Sequence, residues 1–169
     1  DIPRAALCSA LRRFGKNAAL FPNPEITPKY VKYVEKYIEE DFKHDCIVSV
    51  DVAEEHMFCI GFSDNVDLAI DHHPSNSRYS RELLLHDEKA SCGESVIEVI
   101  NELCGGLTPE EATMLYVAVS TDCGCFRYAN VTDETFAAAS ELAGSAQTFE
   151  KSTLRFSVRF PKRVWCLRA

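Results

Sequence analysis

The chain contains no long apolar run. No stretch of its 169 residues approaches the roughly 18 consecutive apolar residues that cross a bilayer. Its first residues do not show the basic, apolar and small-residue order of a secretory leader. Positive charge is also scarce: 18 Lys and Arg stand against 26 Asp and Glu, for a formal net charge of -8. Such a surface has no general attraction for polyanions, which argues against a reader of duplex DNA, though not against a phosphoesterase that meets phosphate locally. No CxxC pair occurs among the eight cysteines, and Cys123 and Cys125 are spaced too closely for an ordinary zinc site. Internal repeats and low-complexity segments are missing as well. These absences lead to the expectation of a soluble, cytoplasmic protein without a membrane partner, its cysteines mostly small buried hydrophobes in a reducing compartment.

What is present is a globular composition, 46% hydrophobic and 26% charged, in an alternating pattern of short apolar runs and amphipathic segments. The pattern predicts an α/β fold with a mostly parallel β-sheet flanked by helices. Helical periodicity covers Ala5 to Phe14, and Ala18 to Phe21 follows as a strand before Pro22-Asn23-Pro24 breaks the chain. Pro28 to Glu40 reads as a second helix. Cys46 to Val50 and Val66 to Ile70 read as strands buried on both faces, and Leu83 to Leu85 as a shorter one. A helix from Ser91 or Cys92 to Cys104 is stopped by Gly105-Gly106. Thr108-Pro109-Glu110-Glu111 opens the next helix, with a hydroxyl cap, proline in the first turn and acids at the positive end. That helix runs to Thr121-Asp122, and a last one spans Thr132 to Ala143. Residues 1–145 are expected to form one catalytic-type domain, and the basic segment 146–169, with aromatics around Trp165, a linker or docking helix.

Three candidate chemical groups fall at element ends. Asp71-His72-His73 closes one buried strand, Asp51 closes another, and Asp122 stands at the end of a helix. Side chains at strand tips of an open α/β sheet converge on ligands. Carboxylates and an imidazole around a divalent cation suit manganese or magnesium, which can lower the pKa of a bound water and clamp phosphate oxygens. Each residue alone also has a plainer role, as a turn or capping group.

Ile70-Asp71-His72-His73-Pro74 resembles the signature of the DHH phosphoesterases. Ser120-Thr121-Asp122-Cys123-Gly124-Cys125-Phe126-Arg127-Tyr128-Ala129-Asn130-Val131-Thr132 is similar to the family segment TDTGSFRYSNT of the oligoribonuclease (nanoRNase) and pAp phosphatase branch. Ala90 to Glu94 and Leu107 to Glu110 resemble further family strings, so the likeness covers residues 5 to 160. It implies that Asp51 bridges two metal ions, manganese or magnesium, and that His72 and Asp122 ligate one of them. It implies that His73 approaches the reacting phosphate, that Asp71 orients the pair, and that Arg127 and Asn130 face substrate. The family's opening HxxPDGDAxGS stretch and its glycine-rich C-terminal substrate domain have no counterpart in these residues.

Two functions follow from the resemblance. One is a metal-dependent phosphoesterase hydrolysing phosphodiester or phosphomonoester bonds of short oligonucleotides or small nucleotides. The other is a truncated or degenerate DHH domain used as a non-catalytic binding or assembly module. The partners implied are the nucleotide substrate and, as an open option, a second copy in a homodimer.

Overall fold

The computed structural model describes residues 2–59, 62 and 64–145. Its elements are α1 (Ile2–Arg13), α2 (Pro28–Val34), β1 (Val48–Val50), β2 (Leu68–Asp71), β3 (Glu82–Leu85), α3 (Cys92–Cys104), α4 (Pro109–Asp122) and α5 (Asp133–Ser145). The three strands pair in the order β1-β2-β3, all parallel, with Val48 opposite Leu68 and Asp71 opposite Leu85. The expected α/β architecture with a parallel sheet and flanking helices is the one observed.

The strands form where the side chains can be buried on both faces. Ala69, Ile70 and Asp71 are nearly inaccessible, as are Ser49 and Val50 on β1. Each of the first two strands starts two residues later than its apolar run. The Ile47 amide donates to the Asp67 carboxylate at 2.9 Å, and the Asp67 and Leu68 amides both donate to the Ile47 carbonyl, so one side-chain bond and one shared carbonyl stand in for the regular ladder there. The core is completed by α1, which packs on α3 and α4 and touches β1, while α3 covers β2 and α5 covers α4.

Local capping rules account for α3 and α4. The Ser91 hydroxyl accepts from the Gly93 amide, and Gly105 closes α3 in the left-handed region at φ 69°. Thr108 and Glu111 form a reciprocal capping box on α4, with Pro109 in its first turn. Glu111 is fully buried, and its carboxylate also takes Ser9 Oγ at 3.0 Å and Arg13 Nη2 at 2.9 Å. One carboxylate therefore fastens the N-terminus of α4 to α1. Replacing Glu111 by alanine is expected to cost about 3 kcal/mol, because it strands a guanidinium, a hydroxyl and an amide at once. Urea denaturation measures this, and a loss below about 1 kcal/mol would mean that water replaces the carboxylate at that joint.

Three expectations are corrected. Ala18 to Phe21 is not a strand: only Leu20 bridges to Ile38, through Leu20 N–H to the Tyr37 carbonyl at 2.8 Å. The turn at Gly15 and the prolines at 22 and 24 leave too little chain for a ladder. The second helix ends at Val34, tightens into a 3₁₀ turn over Glu35–Tyr37, and becomes extended at Ile38, the residue that pairs with Leu20. The last helix runs through Gly144 to Ser145 rather than stopping before it. The segment 146–169 lies outside the described residues. Seven cysteines are described, all as free thiols, with Cys8, Cys92 and Cys123 buried. Among the described residues no helix is long and apolar enough to cross a membrane.

Candidate metal centre

The C-terminal tips of β1 and β2 lie side by side, and they bring the predicted residues together. Asp51, immediately after β1, adopts a left-handed backbone at φ 65° while its amide still donates to Ile70 O at 3.0 Å. A non-glycine residue in that region stores on the order of 1 kcal/mol of strain. The conformation ends the strand and carries the carboxylate to the histidines: His72 Nε2 lies 3.5 Å and His73 Nδ1 3.9 Å from Asp51 Oδ1. One ligand atom from each of Asp51, His72 and His73 falls within 4.8 Å of the others, a group able to hold a metal ion.

Hydrogen bonds behind these residues set the state of each ring. Asp71 is fully buried, and its Oδ1 accepts the His72 amide at 2.8 Å and His73 Nδ1 at 2.7 Å. His72 Nδ1 donates to the Lys89 carbonyl at 3.1 Å, and the Lys89 ammonium pairs with Glu98 at 2.6 Å. Because a carbonyl and a carboxylate only accept, both imidazoles carry a proton on Nδ1, which leaves Nε2 as the nitrogen that provides a lone pair when the ring is neutral. This is the arrangement in which outer hydrogen bonds orient metal-binding histidines. The donors present, one carboxylate oxygen and two imidazole nitrogens, fit a divalent cation.

The electrostatics point the same way. Burial alone would push His72 down, but Asp51, the Lys89 carbonyl and the charge of Asp122 lift it to about 9. Asp122 is pushed up to about 6 by burial and by the charge of Asp51, with the Ser91 hydroxyl and the two histidines opposing. Burial and the charges of Asp51, Asp71 and Asp122 raise the Cys92 thiol, which keeps it protonated behind the site.

Asp122 closes α4 and interacts electrostatically with Asp51, His72 and His73, but it is not one of the three clustered donors. Its Oδ2 accepts from Ser91 Oγ at 2.7 Å. After it the chain reverses through Gly124, Cys125 and Phe126, all at φ between 56° and 61°. An added Cβ at Gly124 would stand 2.5 Å from the exposed Tyr128 ring, which would have to move aside. Arg127 is exposed and donates from Nε to the Gly124 carbonyl at 2.8 Å. Asn130, also exposed, donates to Ala90 O at 3.4 Å, next to the Ser91 that supports Asp122. Asp51 further lines a cavity of about 880 Å³ with Arg4, Leu7, Leu20 and Phe58. Burial lowers the Arg4 guanidinium, while the charges of Cys59 and Asp51 hold it up.

Sequence reasoning passed over Asn76, which is buried and donates to Asp71 Oδ2 at 2.6 Å. Its position after Pro74 reads only as a turn residue. The Lys89 carbonyl was equally invisible, since a backbone acceptor leaves no residue-type signal.

No protein-family model matches the chain. It is 29% identical over 163 residues to the bifunctional oligoribonuclease and PAP phosphatase NrnA of Thermus thermophilus, a match covering 92% of this chain and 49% of that protein. Among solved structures it is similar to an exopolyphosphatase-related protein from Bacteroides fragilis, with a TM-score of 0.72 and 21% identity. That match covers 91% of this chain and 51% of the other, and shows a shared fold. The chain thus spans about half the length of the relatives it matches.

Proposed function

We propose that this chain is the metal-binding part of a DHH-type phosphoesterase, a manganese- or magnesium-dependent hydrolase of short oligonucleotides or small phosphorylated nucleotides. The observation that carries this reading is the convergence of Asp51, His72 and His73, with His72 Nε2 3.5 Å and His73 Nδ1 3.9 Å from Asp51 Oδ1. Asp51 and His72 hold the cation, and Asp122, within electrostatic reach, completes its ligands. When bound, the cation supplies an activated water and charge neutralisation at the phosphate. His73 faces the reacting phosphate, and Asp71 fixes its tautomer and direction. Arg127 and Asn130 flank the substrate, where a guanidinium suits a second phosphate. The named activity of the Thermus relative supports the nucleotide class.

A second reading, a domain that binds without turnover, is favoured by the small ligand set: among the described residues only three donors cluster. One experiment separates the two. Manganese titration of the wild type and His72→Ala is expected to show at least about a tenfold weaker site in the variant. Hydrolysis of a dinucleotide or pAp should accompany binding and stop with chelator. Equal manganese affinity in both proteins would sink the metal assignment, and binding without hydrolysis would select the second reading.

A further inference from the structure

The last ladder bond between the two ligand-bearing strand tips runs from the Asp51 amide to Ile70 O. Beyond it, the segment after β1 and the segment after β2 are joined by side chains and one further backbone bond. The Val52 carbonyl accepts Asn76 Nδ2 at 3.2 Å and Tyr79 Oη at 2.9 Å. Tyr79 Oη is also 2.7 Å from Ser49 Oγ, so it grips β1 on both sides of Asp51. The Ser77 amide donates to Ala53 O at 2.9 Å in the same sense.

Asn76 has no spare donor. One amide proton goes to Val52 O and the other to Asp71 Oδ2, while Oδ1 accepts the Arg78 amide at 2.8 Å. A carbonyl and a carboxylate can only accept, so the orientation of this amide is determined by its partners. A single side chain thereby links the carboxylate that orients His73 to the residue following Asp51. Asp51 itself is in a strained left-handed conformation that an unrestrained aspartate would leave, and leaving it would swing the carboxylate away from His72 and His73.

We propose that Asn76 and Tyr79 form a clamp on the Val52 carbonyl that holds Asp51 in its strained conformation and sets its position against His72 and His73. Both are positioning residues, since neither belongs to the donor group. The clamp is a property of the metal-free chain; its effect on cation binding rests on the metal reading above.

The test uses Asn76→Ala and Tyr79→Phe in the full chain, at a temperature where circular dichroism shows each variant folded. In metal-free protein at mildly alkaline pH, long-range ¹H–¹⁵N spectra of the imidazoles report tautomer and surroundings. Asn76→Ala is expected to lower the Nδ1–H fraction of His73, and Tyr79→Phe to shift the His72 ring nitrogens, neither of which a merely space-filling role would do. Manganese affinity, read by electron paramagnetic resonance of the free ion, is expected to fall about 10- to 100-fold in each. Folded variants with wild-type ring spectra and wild-type manganese affinity would overturn the clamp. Shifted spectra in a protein whose wild type binds no manganese would uphold the clamp and overturn the metal reading instead. If Asn76→Ala does not fold, Tyr79→Phe alone decides, because it deletes only a hydroxyl.

Discussion

Replacing Asp71 by alanine is expected to lower the stability of the domain by about 3 kcal/mol and to weaken manganese binding and any hydrolysis about 10- to 100-fold. The carboxylate has no exposed surface and receives three donors, the His72 amide, His73 Nδ1 and Asn76 Nδ2. Removing it leaves all three without their acceptor in a site that water enters poorly, and each stranded donor costs roughly 1 kcal/mol or more. It also frees His73 to carry its proton on Nε2, which would turn the nitrogen offered to a cation or phosphate into a donor. Urea unfolding gives the first quantity and metal titration the second. If Asp71→Ala loses less than about 1 kcal/mol and binds manganese normally, Asp71 neither supports nor orients the pair. Asp71→Asn is the sharper companion: it preserves shape but brings an amide N–H against a donor, so metal binding should fall although volume does not change.

The metal-free chain is expected to lose about 2–3 kcal/mol of stability between pH 6.5 and about 9, through His72. This ring is raised from 6.5 to about 9, so over that window the folded chain keeps a proton that the unfolded chain has released. Its contribution is complete below 6.5 and disappears as pH rises through 9. Asp122 does not confuse the window. Its carboxyl is raised from 3.8 to about 6, and the cost of ionising it in the folded chain is already fully present above 6. Urea midpoints with chelator at the two ends, for wild type and His72→Gln, isolate the ring. Parallel pH dependences in the two proteins would show that His72 carries no such proton. Added manganese should act in the opposite sense, because a cation on His72 Nε2 must displace that proton. Below about 9, binding should therefore release close to one proton and tighten roughly tenfold per pH unit.

Much of the fold was legible because the signals were local. Ser91 and Gly105 bound α3, Thr108, Pro109 and Glu111 open α4, and the doubly apolar runs before Asp51 and Asp71 mark buried parallel strands. Each of those signals is complete within a few residues, so a neighbour-by-neighbour reading captures it. The Ala18 to Phe21 strand failed for the complementary reason. A short apolar run becomes a strand only if a partner edge lies alongside, and here the partner is one residue, Ile38, at the point where the second helix gives way.

The site divides along the same line. The sequence by itself determined which residues could do the chemistry: a carboxylate and two imidazoles at one strand tip, a carboxylate at the next, and Asp122 at a helix end. Only the tertiary structure decided how each of them is held, because the deciding contacts join residues far apart in the chain. Lys89 sets the tautomer of His72, Ser91 supports Asp122, and Asn76 and Tyr79 tie the segment after β2 to Val52. The left-handed turn at Asp51 belongs to the same class, since a strained conformation persists only where surrounding bonds over-determine it. Residue type limits which atoms can donate or accept, but burial and long-range hydrogen bonds choose among the remaining states.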